Sequence, residues 1–142
     1  MKKLKQAFII LLMSIPLSGS PDHSVLYLER VEPLQPYSQM VDAFMKVESN
    51  YNETVVNSLG YTGILQIGEQ MIDEVNRICK LQGNNAEFTL ADRLDSTKSV
   101  RVWYIVQSFY NPAFDLRIAC KVWNPTASDE YYELINQSYE NN

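Results

Sequence analysis

Hydrophobic positions recur at helical spacing in several separate segments of this chain. Between residues 38 and 49 the apolar side chains lie three and four positions apart, as on the buried face of an amphipathic helix; they are Met40, Val41, Phe44, Met45 and Val47. Ser38 is of the type that caps helix N-termini, so it predicts the start of this helix. The same reasoning predicts helices over residues 69–81, 97–110, 113–122 and 129–138, bounded by Gly83, Pro112, Pro125 and Ser128.

The segments between these helices are rich in polar residues, glycine and proline. Residues 50–58 are polar, and residues 83–95 are expected to form a loop. Residues 59–68 contain Gly60, Gly63 and Gly68, which suits a turn with a short extended piece. Residues 21–37 contain three prolines and predict an irregular lead-in, with a short helical piece around residues 25–31. We therefore expect a compact, mainly α domain over residues 38–138, with a small extended or β element in its first half.

The first twenty residues differ in kind from the rest. Three lysines within the first five residues precede an apolar run over residues 7–17, and small residues follow up to Ser20. This order is typical of a secretory signal peptide, so we expect residues 1–20 to be removed on export to the periplasm or the extracellular space. The alternatives are an uncleaved membrane anchor or a buried helix, but the run is shorter than the roughly twenty apolar residues that span a bilayer.

The acidic balance of the chain excludes some classes of partner. Removing residues 1–20 takes three of the twelve Lys and Arg and none of the seventeen Asp and Glu, which leaves a formal charge of −8 on nine basic and seventeen acidic groups. Nucleic acid needs a basic surface, so it is not expected as a partner. Tight binding to an anionic membrane after cleavage is not expected either.

Two cysteines, Cys79 and Cys120, follow the signal segment. An even pair in an oxidising compartment suggests a disulfide, while the alternative is two separate buried thiols. The lone histidine, His23, lies near the expected mature terminus, so no set of metal ligands is evident and no metal is predicted.

Glu48 stands out because it lies on the apolar side of its helix. It falls three and four residues after Met45 and Phe44, and residues so spaced share a helix face. A carboxyl group on the core side is desolvated, which favours its neutral form and raises its pKa. A general acid that works near neutral pH needs this property. The alternative is an exposed or capping Glu at a frayed helix end.

The residues around Glu48 carry a resemblance. Glu48-Ser49, a polar loop and then Gly63-Ile64-Leu65-Gln66 match in identity and approximate spacing the first motif region of the soluble lytic transglycosylases and goose-type lysozymes. Farther on, the segment ACKVWN over residues 119–124 occupies the place of that family's aromatic-Asn-Gly-Gly segment. The chain resembles this family over roughly residues 38–135, more specifically in the first half than in the second.

The resemblance implies a lysozyme-like fold and a cofactor-free enzyme that cleaves the β-1,4 bond between N-acetylmuramic acid and N-acetylglucosamine in peptidoglycan strands. Glu48 would be the sole acid and base, and the product would carry a 1,6-anhydromuramoyl end. The residues expected to contact substrate are Ser49, Tyr61, Gly63, Gln66, Trp123 and Asn124. So small a domain would suit local remodelling of the cell wall, for example to admit a larger envelope-spanning apparatus.

The second motif departs from the family pattern. Trp123 replaces the family's Tyr, and Pro125-Thr126 replaces Gly-Gly, so a hydroxyl that would bond Glu48 is missing there; Tyr131 or Tyr132 are the nearby sources. Two further functions therefore stay open. One is a glycan-binding domain without activity, and the other is a muramidase with a second acid, for which the candidates are Glu53, Glu69, Asp73, Asp92 and Asp95.

Overall fold

The structure is a computed structural model that describes residues 36–141, with side chains from residue 38 onward. The predicted signal segment, the short helical piece around residues 25–31 and nearly all of the lead-in lie outside the described residues. Five α-helices and one short 3₁₀ helix follow in order: α1 Pro36–Ser49, α2 Glu69–Leu81, the 3₁₀ helix Leu90–Leu94, α3 Ser96–Tyr110, α4 Leu116–Trp123 and α5 Asp129–Glu140. No helix in this part of the chain is long and apolar enough to cross a membrane.

The predicted mainly α class is confirmed, and α2 has the bounds that its periodicity predicts. The predicted N-cap of α1 is wrong, because the helix begins at Pro36 and Ser38 lies inside its first turn. Proline is well suited to that position, since the first helical N–H groups have no partner within the helix. α4 begins at Leu116 rather than at residue 113, because the Asp115 carboxylate caps it by accepting from the Ile118 N–H.

The predicted loop over residues 83–95 contains the 3₁₀ helix. Thr89 and Asp92 form a reciprocal capping box at its start, in which each side chain accepts a hydrogen bond from the backbone N–H of the other residue. The Thr-x-x-Asp spacing carried that signal in the sequence, but the segment has too few apolar residues to show a helical period. This short helix matters for the site, because it supports the loop between α1 and α2.

The core is formed mainly where α1 packs on α5 and where α3 packs on α2 and α4. Trp103 of α3 is fully buried and stacks edge-on against Phe44 of α1, with ring centroids 5.4 Å apart. The burial of α3 is only partial, since Phe109 and Tyr110 at its end are exposed. The large, fully buried core side chains also include Leu65, Ile67, Val75, Ile78, Val102, Val106 and Ile135.

The loop between α1 and α2 contains the small extended element, as two isolated antiparallel bridges, Val56 with Thr62 and Thr62 with Ile67. Gly63 lies between them with φ +80°, and a Cβ there would lie 1.8 Å from the carbonyl oxygen of Arg93. Only glycine tolerates both that backbone and that contact. The Arg93 guanidinium also donates to the carbonyl of Ile67 at 3.2 Å, so a side chain of the 3₁₀ helix holds the backbone of the loop.

Candidate functional site

Glu48 lies in the last turn of α1, where the chain reverses sharply. Asn50 and Tyr51 both have left-handed backbone, with φ 50° and 63°. The Tyr51 N–H bonds the carbonyl of Met45 at 3.2 Å, which satisfies one of the carbonyls that a helix end leaves without a partner. The helix therefore stops at Ser49, one residue after Glu48, and leaves the half-buried Glu48 carboxyl at the edge of the core.

Tyr131 of α5 donates its hydroxyl hydrogen to Oε1 of Glu48. Burial raises the pKa of Glu48 above its usual range, and the hydrogen bond from Tyr131 only partly opposes this. Burial and the neighbouring carboxylate raise the pKa of Tyr131 as well, so the phenol keeps its proton and acts as the donor. Of the two tyrosines considered above, Tyr131 is the partner, because Tyr132 instead packs its ring under Arg117.

A groove with two connected halves opens beside Glu48. The inner half, a cavity of about 350 Å³, contains Glu48. The outer half, about 410 Å³, runs over the start of α2 and includes Glu69 and Glu74. Five residues line both halves, and we call them the waist: Leu59, Tyr61, Gln66, Trp123 and Pro125. Among the described residues that line the inner half, Glu48 is the one carboxylic acid.

Three amide side chains line the inner half, those of Asn57, Gln66 and Asn124, and neighbouring groups orient the last two. The Gln66 Nε2 group donates to the carbonyl of Gly63 at 2.9 Å and, at 3.3 Å, to that of Val55. The Asn124 Oδ1 atom accepts from the backbone N–H of Thr126 at 3.1 Å and from its hydroxyl at 2.8 Å. These bonds leave the Gln66 carbonyl as an acceptor and the Asn124 amide NH₂ as a donor for a ligand in the inner half.

Tyr61 and Trp123 both lie at the waist, as expected for residues that contact substrate. The Tyr61 ring is 42% exposed and lies against Gly68, where an added Cβ would meet its Cε1 at 2.8 Å. Trp123 is buried, and its indole N–H donates to the carbonyl of Leu65 at 3.2 Å. Tyr61 therefore offers an open aromatic surface to the groove, whereas Trp123 mainly forms its wall.

Two of the expected substrate contacts are not in the groove. The Ser49 hydroxyl donates to the carbonyl of Ile64 at 2.8 Å and accepts from the N–H of Asn52 at 3.0 Å. Gly63 is buried against Arg93. The predicted contacts for Ser49 and Gly63 are therefore wrong for this structure: both residues hold the loop on the end of α1 and so position Gln66.

The predicted disulfide is also absent, because Cys79 and Cys120 are separate, buried, free thiols. Cys79 lies on α2, which packs on α3, and Cys120 lies on α4, which packs equally on α3 and α5 and hardly touches α2. Burial raises the pKa of Cys120 to about 11, and the nearby Glu48 carboxyl contributes. Cys120 is thus a protonated, unreactive thiol in the wall behind the Glu48–Tyr131 pair.

The other candidate acids do not join Glu48 in the inner half. Glu53 accepts from the Ser96 hydroxyl at 2.6 Å, Asp92 belongs to the capping box, and Asp95 caps α3. Asp73 is exposed on α2, and Glu69 lines only the outer half. Within the part of the chain that the structure describes, no cluster of three or more His, Cys, Asp or Glu is arranged to hold a metal.

The sequence-based reasoning missed several residues of the groove. Asn57, Leu59 and Thr126 line the inner half, and Glu74 lines the outer half. Leu59 carried a usable signal, since a large apolar residue in a polar, glycine-bounded turn has no core to enter.

Searches of protein-family models, of curated proteins and of solved structures all returned no match for this chain.

Proposed function

We propose that this protein is an exported peptidoglycan lytic transglycosylase that cleaves the β-1,4 bond between N-acetylmuramic acid and N-acetylglucosamine, with Glu48 as acid and base. The observation that supports this proposal most is the inner half of the groove, which contains one carboxyl group with a raised pKa and a phenol bonded to it. The motif resemblance around Glu48 and Gln66 supports the same activity.

In the proposed reaction the Glu48 carboxyl donates its proton to the glycosidic oxygen, and the bond from that oxygen to the anomeric carbon of muramic acid breaks. The C6 hydroxyl of the same sugar then attacks the anomeric carbon, and its proton passes to the Glu48 carboxylate. The product is a 1,6-anhydro ring, and Glu48 is protonated again. Because the substrate supplies the nucleophile and its acetamido group stabilises the positive centre, one carboxyl group suffices where most glycosidases use two.

The two oriented amides fit the acetamido groups of such a substrate. An acetamido group presents one N–H donor and one C=O acceptor, and the inner half offers the Gln66 carbonyl and the Asn124 NH₂ as complementary partners. Hydrogen bonds of this kind give specificity, because a sugar without the acetamido group would leave both amides unpaired. Tyr61 offers an aromatic face to a sugar ring.

Export is part of the proposal and depends on the first twenty residues. Their basic start, short apolar run and small-residue exit are typical of a signal peptide. The substrate also lies outside the cytoplasmic membrane. Mature protein purified from its host should begin within a few residues of Ser20, and an intact Met1 on a cytoplasmic protein would contradict export.

Digestion of purified sacculi tests the activity directly. We expect the released muropeptides to carry 1,6-anhydromuramoyl ends, which mass spectrometry separates from reducing ends by the mass of one water. Reducing ends would indicate a muramidase instead. Glycan binding without any released product would indicate a domain that holds glycan without cutting it, which the changed residues Pro125 and Thr126 make the main rival.

A further inference from the structure

The turn at the rim of the groove presents one large apolar side chain to solvent. Leu59 is 80% exposed, yet it lines both halves of the groove. A leucine this exposed contributes little to the core. An exposed apolar side chain on a concave surface is typical of a ligand-binding site. Trp123 and Pro125 line both halves as well.

Hydrogen bonds hold this turn in a defined shape. The Asn57 Oδ1 atom accepts from the N–H of Leu59 at 2.9 Å and from that of Tyr61 at 3.1 Å. The Asn57 N–H in turn bonds the carbonyl of Tyr61 at 3.0 Å. Gly60 takes φ +83° with open space around it, so the tip projects from the body of the protein. Leu59 is therefore displayed by an ordered turn.

We infer that Leu59 is a substrate-contacting residue that packs against the glycan strand at the waist, between the inner and the outer half of the groove. The faces of pyranose rings carry C–H groups, and such a face would lie against Leu59 and Tyr61 as the strand passes from one half to the other. This inference rests on the proposed function and adds to it that binding depends on strands long enough to cross the waist.

Binding of defined oligosaccharides to the full mature chain tests this inference without turnover. The parent protein carries Glu48→Gln, and the ligands are the disaccharide and the pentasaccharide of β-1,4-linked N-acetylglucosamine, measured by calorimetry. In that parent, Leu59→Ser should raise the Kd of the pentasaccharide by about 3- to 10-fold, because part of an apolar side chain no longer leaves water. The Kd of the disaccharide should change less, since it need not cross the waist.

Two further variants control for the loss of a leucine. Val56→Ser removes an apolar side chain that is 59% exposed in the same loop but lines neither half of the groove, and it should leave both Kd values unchanged. Leu59→Met keeps an apolar side chain and should bind the pentasaccharide as the parent does.

The outcomes separate the two proposals. If the parent binds the pentasaccharide and Leu59→Ser binds it equally well, the role of Leu59 is wrong while the proposed function stands. If Leu59→Ser weakens both ligands to the same extent, the dependence on crossing the waist is wrong. If the parent binds neither oligosaccharide, this inference fails, and the digestion of sacculi decides separately whether the proposed function fails as well.

Discussion

The two halves of the groove each contain a glutamate that accepts a hydrogen bond from a tyrosine, and the two pairs behave in opposite ways. In the inner half, Tyr131 bonds Glu48, and the pKa of Glu48 is raised. In the outer half, Tyr110 bonds Glu74, and the pKa of Glu74 is lowered. The same residue types in the same contact therefore give one carboxyl that tends to hold its proton and one that loses it easily.

The environment accounts for the difference. Burial between α1 and α5 is the main influence on Glu48, and it favours the neutral form more than the Tyr131 bond favours the charged one. Glu74 is half-exposed on α2, where Arg77 binds it with two nitrogens at 2.7 and 2.8 Å and stabilises the carboxylate. A tyrosine bond alone does not set the protonation state; desolvation and a charged partner do.

The largest expected effect is the loss of activity on replacing Glu48. Glu48→Gln keeps the shape of the side chain but removes the transferable proton, so turnover on sacculi should fall by about 100- to 10,000-fold. Glu74→Gln is the matched control in the outer half and should retain activity within about 3-fold, because Glu74 transfers no proton in the proposed reaction. Retained activity in Glu48→Gln, beside an active wild type, would remove Glu48 from the mechanism.

The two tyrosines give the next comparison. Tyr131→Phe removes a hydrogen bond that favours the charged form of Glu48, so the pKa of Glu48 should rise. The alkaline limb of the pH profile of kcat/KM should therefore move to higher pH. We also expect kcat to fall by about 10-fold, because the acid is oriented less exactly. Tyr110→Phe should leave the limb in place. A limb that moves to lower pH in Tyr131→Phe would contradict the role given to this bond.

The smallest effects concern stability, and the two glutamates should show opposite signs. Folding raises the pKa of Glu48, so the folded state binds the extra proton and stability falls as pH rises from about 4.5 through the folded pKa. Glu48→Gln removes this loss and should stabilise the protein at neutral pH by on the order of 1 kcal/mol. The gain should vanish below the unfolded pKa.

Folding lowers the pKa of Glu74, so its contribution is present above the unfolded pKa and is lost as pH falls through the folded pKa. Glu74→Gln should therefore destabilise the protein at neutral pH, by less than about 1 kcal/mol because the pair is exposed. Urea unfolding of both variants and the wild type over a pH series measures these differences. Changes of the same sign for both variants would contradict the comparison.

The sequence by itself determined the helices and the unusual position of Glu48. Helical periodicity is a local property, so the spacing of apolar residues was enough to place α2 over Glu69–Leu81 and to put Glu48 on the apolar side of α1. The glycines likewise marked the loop, since the backbone of Gly63 is one that few other residues adopt. The starts of α1 at Pro36 and of α4 at Leu116 were missed, because apolar spacing does not locate the first turn of a helix as sharply as it locates the buried face.

Only the tertiary structure decided which groups meet at the groove. Tyr131 lies 83 residues after Glu48, and the apolar face of α5 does not reveal that α1 is the helix it packs against. The roles of Ser49 and of Cys120 depended in the same way on what lay opposite them: a carbonyl of the loop for one, and no second thiol for the other. The physical reason is that periodicity tells which face of an element is buried, whereas the partner of that face depends on how all the helices pack together.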